Sequence, residues 1–158
     1  MEIKGQIRSF NERVSETKSR LKLSVFVTSI EEIPENVTLP DENFVTLDGY
    51  ICKQGGVRKT PKGRQIADVT FAVNREYAKS DYIPLIFWGR SANYISDRKL
   101  GTNLKLKGRF QSRKYNKKID EETIEERIAY EVSVISFEEV AEGPETESAE
   151  TEKVSANA

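Results

Sequence analysis

The sequence of 158 residues contains no histidine and a single cysteine, Cys52. Without an imidazole there is no nucleophile–histidine triad, and one thiol forms neither an intrachain disulfide nor a thiolate zinc cluster. The longest apolar run, Ile83 to Gly89, is far shorter than the ~18 residues of a membrane span, and the charged start MEIKGQIR lacks the apolar stretch of a signal peptide. We therefore expect a cytoplasmic protein that is not an enzyme, uses no cofactor or metal and does not contact a membrane.

Charge is unevenly distributed, although the formal net charge is only -1. Residues 44–116 contain fifteen Lys or Arg against five acidic residues, whereas the chain from Glu138 onward has seven glutamates and one lysine. A basic body with an acidic tail indicates a polyanionic partner, although solubility explains surface charge about equally well on this ground alone. The segment GPETESAETEKVSANA has too few apolar side chains to offset its ordering entropy. It predicts a disordered acidic tail over residues 141–158.

Five segments between residues 44 and 140 alternate apolar and polar residues with the period of a β-strand. Their inward-facing sets are Val45, Leu47 and Ile51; Ala67, Val69, Phe71 and Val73; Ile83, Leu85 and Phe87; Leu104, Leu106 and Phe110; and Ile128, Tyr130, Val132 and Val134. A short helix is predicted between the third and fourth strands, from Ser91 as its N-cap to Leu100, with Gly101 as its stop. This order predicts an all-β protein with the five-stranded Greek-key barrel of the OB-fold, which commonly binds oligonucleotides.

The first residues repeat the last two predicted strands. KGQIRS (4–9) matches KGRFQS (107–112), with Phe10 over Tyr115 after two extra residues, and RLKLSVFVTSIEEI (20–33) matches RIAYEVSVISFEEV (127–140) at six of fourteen positions. We interpret residues 1–33 as a two-stranded partial OB repeat, residues 34–43 as a linker and residues 44–140 as the complete OB domain.

The partial repeat carries an apolar face that two strands cannot bury alone, formed by Ile3, Ile7, Leu21, Leu23, Val25 and Val27. A lone two-stranded hairpin is at best marginally stable in water, and its edges invite pairing. We expect it to dock against the complete barrel of its own or a neighbouring chain, or to pair with its copy in a homodimer, so that the protein is a homo-oligomer. Met1 would then be an internal start or a truncation point.

Aromatic and basic residues share the outward-facing positions of the barrel. Tyr82 and Trp88 lie opposite the inward set of the third strand, Tyr77 lies between Arg75 and Lys79, and the fourth strand presents Lys105, Lys107, Arg109, Gln111, Arg113 and Tyr115. Single-stranded nucleic acid requires aromatic faces for stacking and cations for its phosphates. A single aromatic on a strand is more often a packing residue, but four on one basic face favour a binding surface.

Several motifs resemble the bacterial single-stranded DNA-binding proteins. They are the hairpin connection VRKTPKG, the strand end AVNR, the strand-to-helix passage DYIPLIFWGRSA, and KLGTNLKLKGRFQSRKY. The resemblance covers about residues 44–140. It implies base stacking by Tyr77, Tyr82, Trp88 and Tyr115, and phosphate contacts by Arg58, Lys62, Arg75, Lys107 and Arg113, to which the outward face adds Lys105 and Arg109.

Two features depart from the main bacterial members of that family. Their acidic tails close with a hydrophobic tip that recruits replication and repair enzymes, whereas this sequence ends EKVSANA. The leading half-domain resembles a less common variety with two OB domains in tandem.

The resulting hypothesis is a nucleoid-associated protein that binds single-stranded DNA with little sequence preference during replication, recombination and repair. Two alternatives remain open: an accessory OB protein of a primosome or of RNA metabolism, and an OB barrel that serves as a protein-interaction module.

Overall fold

The computed structural model describes residues 1–141. Its strands are β1 (Glu2–Arg13), β2 (Ser19–Glu31), β3 (Val45–Lys59), β4 (Gln65–Arg75), β5 (Lys79–Trp88), β6 (Asn103–Lys118) and β7 (Ile124–Glu139). The helix α1 (Arg90–Ser96) lies between β5 and β6. The predicted disorder of the tail concerns residues that, apart from Ala141, lie outside this range.

The strands β3 to β7 form a closed barrel in the order β3-β4-β5-β7-β6, and β1 and β2 form a separate two-stranded sheet. Neighbouring barrel strands are antiparallel except β5 and β7, which pair in parallel only at Leu85 with Val132 and Ile86 with Ser133. This is the predicted five-stranded OB-fold barrel, preceded by the predicted pair of strands.

The core lies inside the barrel and follows the predicted alternation closely. Phe71, Ile83, Leu85, Phe87 and Leu104 are each 0% exposed. Gly49 permits a close approach of β3 to β4, because a Cβ at this position would overlap the backbone oxygen of Ala72. The strand therefore approaches β4 more closely than a side chain would permit.

Two residues predicted to face inward are exposed. Ile128 and Tyr130 are 51% and 49% exposed, whereas Val132 on the same face of β7 is fully buried. The β6–β7 pairing continues to Lys118 and Ile124, so the hairpin extends past the end of the shorter β5. The predicted alternation along β7 is correct, but the half of β7 nearest the β6–β7 turn lies beyond the end of the barrel, so its apolar side chains are not buried.

The helix differs from its prediction at both ends. Gly89, with φ of 58°, is the N-cap, and Ser91 lies within the first turn. This cap has a left-handed φ that glycine adopts without the strain of a Cβ. The helix ends at Ser96, where the side-chain amide of Gln54 donates to the carbonyl oxygens of Ile95 and Arg98 at 2.9 and 3.1 Å.

Residues 32–44 form no strand, and Asn43 joins their end to the barrel. Its side-chain Nδ2 donates to the carbonyl oxygen of Phe110 at 2.6 Å, and its Oδ1 accepts from the backbone N–H of Phe110 at 2.9 Å. The amide group of Asn43 thus satisfies both backbone polar groups of one β6 residue just before β3 begins.

The two hairpins of the predicted repeat share a feature of their strand register. Both hairpins have a bulge at a Lys-Gly pair, between Lys4 and Gly5 in β1 and between Lys107 and Gly108 in β6. Gly5 is opposite Val27 and Gly108 is opposite Val134, which are matched positions of the repeat. The pairing of Glu12 with Arg20 and of Tyr115 with Arg127 aligns Glu12, not Phe10, with Tyr115. The two extra residues therefore belong near the hairpin tip.

The β1–β2 hairpin docks against its own barrel, one of the three arrangements expected. Ile7 and Leu23 pack against the barrel core, whereas Ile3, Val25 and Val27 remain 54%, 44% and 41% exposed. The contact is also polar, because the backbone N–H of Ser9 donates to Asp81 of β5. Part of the expected apolar face is covered and part is left open.

Candidate nucleic-acid interface

Trp88 lies at the end of β5 with its indole edge held and its ring partly exposed. Its Nε1–H donates to Oγ of Ser133 at 2.8 Å, and the guanidinium carbon of Arg64 lies 4.7 Å from the centre of the ring. Trp88 is not one of the core residues. Because Ser133 pairs with Arg109, the register also brings Arg109 near this aromatic side chain.

Tyr82 and Tyr115 border the same region from different strands. Tyr82 is 45% exposed and lies on the face of β5 that also carries Trp88. Tyr115 lines a groove of about 480 Å³ together with Pro84 and Ile86, the two residues between Tyr82 and Trp88 on that face. Three of the four predicted stacking residues therefore surround one stretch of surface.

The hairpin forms one wall of this groove. Leu21 and Leu23 of β2 line it opposite Ile128 and Tyr130 of β7. Ile86 is only 3% exposed although it belongs to the outward face of β5. The middle of the β5 face is thus covered, and its exposed aromatics lie at the two ends.

Tyr77 occupies a different place. It is 91% exposed in the β4–β5 turn with φ of 62°, a left-handed conformation that is uncommon outside glycine. With Arg75 and Lys79 it lines a larger cavity of about 1210 Å³ between the hairpin, the start of β3 and this turn. The structure therefore separates Tyr77 from the groove that Tyr115 lines.

Three of the seven predicted phosphate-binding side chains are ion-paired. Arg58 donates through Nε and Nη2 to the two carboxylate oxygens of Asp68 at 2.6 and 3.2 Å. This hydrogen bonding raises the pKa of Arg58 above its ordinary value despite partial burial. The positive charge of each of these three ion-paired side chains is already balanced by a carboxylate, which weakens its attraction for phosphate.

The other two pairs use buried carboxylates. Nε of Arg113 donates to Glu131 at 2.9 Å, and Nε of Arg75 lies 2.9 Å from Asp81, although its N–H makes no hydrogen bond there. Glu131 and Asp81 are each 2% exposed. A buried carboxylate requires such a partner, since an unpaired charge out of water is costly. Arg75 and Arg113 therefore stabilise buried carboxylates, in addition to the phosphate binding predicted for them.

The remaining predicted cations, Lys62, Lys105, Lys107 and Arg109, form no salt bridge within residues 1–141. Lys107 and Arg109 are exposed beside the Gly108 bulge, Lys105 is half-buried, and Lys62 is exposed in the β3–β4 turn. Their charges are available to a polyanion.

Sequence reasoning missed Arg64 and the carboxylates that hold the arginines. Arg64 follows the β3–β4 turn, where the pairing of Ile66 with Trp88 carries it toward the indole. Asp68 could have been found, because it alternates outward between Ala67 and Val69 on a strand that follows Arg58. Asp81 meets Arg75 across the paired strands β4 and β5, and Glu131 meets Arg113 across β6 and β7, so both contacts depend on the register of neighbouring strands.

No group of three or more acidic or cysteine side chains among residues 1–141 is arranged to hold a metal ion. Nor does any helix in the same range have the length and apolar character needed to cross a membrane.

A family model described as the single-strand binding protein family matches residues 42–138. The chain belongs to this family. All of the predicted stacking and phosphate-binding residues lie within the matched range, whereas the β1–β2 hairpin lies before it.

Curated relatives with the same family name are similar to about half of the chain. The single-stranded DNA-binding protein of Streptococcus mutans is 32% identical over 80 residues, covering 46% of this chain and 49% of that protein. Single-stranded DNA-binding protein A of Bacillus subtilis is 34% identical over 80 residues, covering 46% of each. The chain thus spans about half the length of the curated relatives it matches.

Solved structures extend the likeness to the hairpin. A deletion mutant of the single-stranded DNA-binding protein of Thermus aquaticus has a TM-score of 0.68 at 21% identity, covering 90% of this chain and 62% of that one. The wild-type protein gives 0.60 at 22% identity, with 91% and 59% covered. At this identity the likeness concerns the fold, and its coverage exceeds the barrel alone.

Proposed function

We propose that the chain is a non-enzymatic protein that binds single-stranded DNA with little preference for sequence. The observation that carries the proposal is that Tyr82, Trp88 and Tyr115 are at least partly exposed on the outer surface of the barrel. The same surface carries Lys107 and Arg109, which form no salt bridge within residues 1–141. Stacking on aromatic rings tolerates any base, and phosphate contacts contain no sequence information. Membership of the single-strand binding protein family and the names of its relatives support the same assignment.

Trp88 is suited to stacking because its edge is fixed and its ring remains accessible. The hydrogen bond to Ser133 holds the indole in one orientation before any base arrives. Arg64 lies over the ring, where it could either sandwich a base or turn outward to a phosphate. A preorganised ring loses less conformational entropy on binding.

In this proposal, the DNA phosphates follow the cations that have no acidic partner within residues 1–141. We assign the main contacts to Lys62, Lys105, Lys107 and Arg109. Arg58, Arg75 and Arg113 contribute through whichever nitrogens their carboxylate partners leave free. Tyr77 would stack a base at the separate β4–β5 turn. The DNA would have to leave the β5 face to reach this turn.

In the cell this activity would protect and organise single strands during replication, recombination and repair, in the cytoplasm and at the nucleoid. The partners would be single-stranded DNA and replication or repair proteins. We also propose a homo-oligomer, because Ile3, Val25, Val27 and Ile30 leave an exposed apolar face on the hairpin, and such a face favours association.

The test is a fluorescence titration of the full chain with oligo-dT, using Trp88, the only tryptophan, as the reporter. Stacking of a base should quench its emission, and competition with mixed DNA should be nearly equal to competition with dT. Preference for poly-U over poly-dT would favour the RNA-associated alternative. Failure of every nucleic acid to bind would overturn the proposal in favour of a protein-interaction module.

A further inference from the structure

The strand β5 has one edge that the barrel does not complete. It pairs with β4 from Lys79 to Trp88 but with β7 only at Leu85 and Ile86. Within the described part of the chain, residues 79–84 therefore have no barrel strand on their second side. Strand β1 packs against β5, and at this edge it approaches the candidate stacking residue Tyr82.

A single residue of β1 makes both hydrogen bonds of this junction. The backbone N–H of Ser9 donates to Oδ1 of Asp81 at 2.7 Å, and Oγ of Ser9 accepts from the backbone N–H of Tyr82 at 2.7 Å. Ser9 is 8% exposed and Asp81 is 2% exposed. The second carboxylate oxygen of Asp81 faces Arg75. Ser9 thus joins the hairpin to two neighbouring residues of the β5 edge.

We propose that Ser9 is a positioning residue for Tyr82, so that the docked hairpin takes part in binding single-stranded DNA without contacting it through Ser9. A buried backbone amide without an acceptor is unfavourable. Loss of Oγ would therefore drive the β5 edge to shift or admit water, and the backbone that carries the Tyr82 ring would move with it. This inference rests on the proposed function, because it concerns the affinity of the same surface.

The internal repeat supplies a matched control. Ser112 of β6 occupies the position equivalent to Ser9, since Ser9 is opposite Leu23 and Ser112 is opposite the matched Tyr130. Ser112 is exposed, and its side chain makes no hydrogen bond with another part of residues 1–141. The role of Ser9 therefore arises from its docked location and not from the repeated sequence.

The experiment is a double-mutant cycle in the full chain with oligo-dT. Ser9→Ala removes the acceptor for Tyr82 but retains the N–H that donates to Asp81. We expect Ser9→Ala to weaken binding about two- to tenfold, the range for one lost hydrogen bond. In a Tyr82→Ala background the same substitution should cause no further loss, because the side chain that it positions is absent. Ser9→Thr keeps the hydroxyl and should restore affinity, and Ser112→Ala should bind as the unchanged chain does.

Amide hydrogen exchange gives a readout that does not depend on DNA. The Tyr82 amide should exchange faster in Ser9→Ala while that of Ile83 keeps its protection. Unchanged affinity in Ser9→Ala, or an equal loss with and without Tyr82, would overturn the inference alone. Absence of dT binding by the unchanged chain would overturn the proposed function and the inference with it.

Discussion

The hairpins β1–β2 and β6–β7 have related sequences and the same bulge, yet their apolar residues have opposite environments. Val25 and Val27 are 44% and 41% exposed, whereas the matched Val132 and Val134 are 0% and 9% exposed. Only β6–β7 has β3 and β5 beside it to close a barrel. Local sequence therefore specifies a bulged hairpin, and the neighbouring strands decide whether its apolar face becomes a core.

The two hairpins also differ in whether their basic side chains beside the bulge are ion-paired. Residues 1–33 contain six basic and five acidic residues, and Lys4 and Lys22 are paired with Glu2 and Glu12. On β6, Lys107 and Arg109 have no such partner within residues 1–141. We expect DNA to distinguish these surfaces although the two hairpins have similar sequences.

The largest expected effect is the dependence of binding on salt. If ~5 phosphates are neutralised, raising salt from 50 to 200 mM should weaken oligo-dT binding by roughly a hundredfold through counterion release. Titrations at several salt concentrations measure the slope. A Lys4→Gln variant should retain this slope, whereas Lys107→Gln should reduce it; a flat response in the unchanged chain would refute the phosphate path.

A slightly smaller effect is expected from loss of the stacking ring at Trp88. Trp88→Ala should weaken dT binding by about 1 to 3 kcal/mol, the usual contribution of one stacked base. Phe10→Ala removes an exposed aromatic of the hairpin and serves as the control, with affinity close to that of the unchanged chain. Affinity is measured by anisotropy of labelled dT, since the indole is absent. A Trp88→Ala protein that folds and binds normally would remove this residue from the interface.

Replacing each bulge glycine with alanine tests how much the bulge contributes to the stability of each hairpin. A Cβ at Gly108 would lie 2.4 Å from the backbone oxygen of Ser133, and one at Gly5 would lie 2.3 Å from that of Phe26. Gly108→Ala should lower the free energy of unfolding of the barrel by about 1 to 3 kcal/mol, whereas Gly5→Ala should mainly loosen the hairpin. Denaturant unfolding gives the free energies, and amide exchange shows which residues are affected. Equal losses of global stability would mean that the hairpin and barrel unfold as one unit.

The smallest effect is expected from single charge reversals at matched positions. Lys107→Glu should weaken dT and mixed-sequence DNA alike, by about tenfold or less, because one phosphate contact is lost and one repulsion is added. Lys4→Glu, at the equivalent position beside the other bulge, should change affinity much less. Similar losses in both variants would place the hairpin on the DNA path.

The sequence alone predicted the strands and the barrel core well, because alternation is a local property. Ile83, Leu85 and Phe87 are all buried as expected. The error at Ile128 and Tyr130 has a non-local cause, since the length of β5 decides where the barrel ends. The helix cap was misplaced because Gly89 supplies a left-handed φ, which the serine signal at Ser91 concealed.

The residue types of the candidate site could be predicted from the sequence, but the ion pairs between its arginines and carboxylates could not. Strand alternation correctly placed Tyr82 and Trp88 on one face, and the roles of both residues in DNA binding remain predictions. The pairs of Arg75 with Asp81 and of Arg113 with Glu131 depend on which side chains face each other across strands. Docking of Ser9 on Asp81 joins residues 72 positions apart, so no local pattern could indicate it.

The amide group of Asn43 has a consequence for where the folding unit begins. The Asn43 side chain donates one hydrogen bond to the Phe110 backbone and accepts one from it, as a backbone peptide group would in a sheet. The hydrogen bonding between β3 and β6 therefore continues beyond the first residue of β3. A truncated chain that starts at Val45 would retain every residue of the five barrel strands yet leave both polar groups of Phe110 without these partners. We therefore expect a barrel that begins at Asn43 to be more stable than one that begins at Val45, although the two contain the same strand residues.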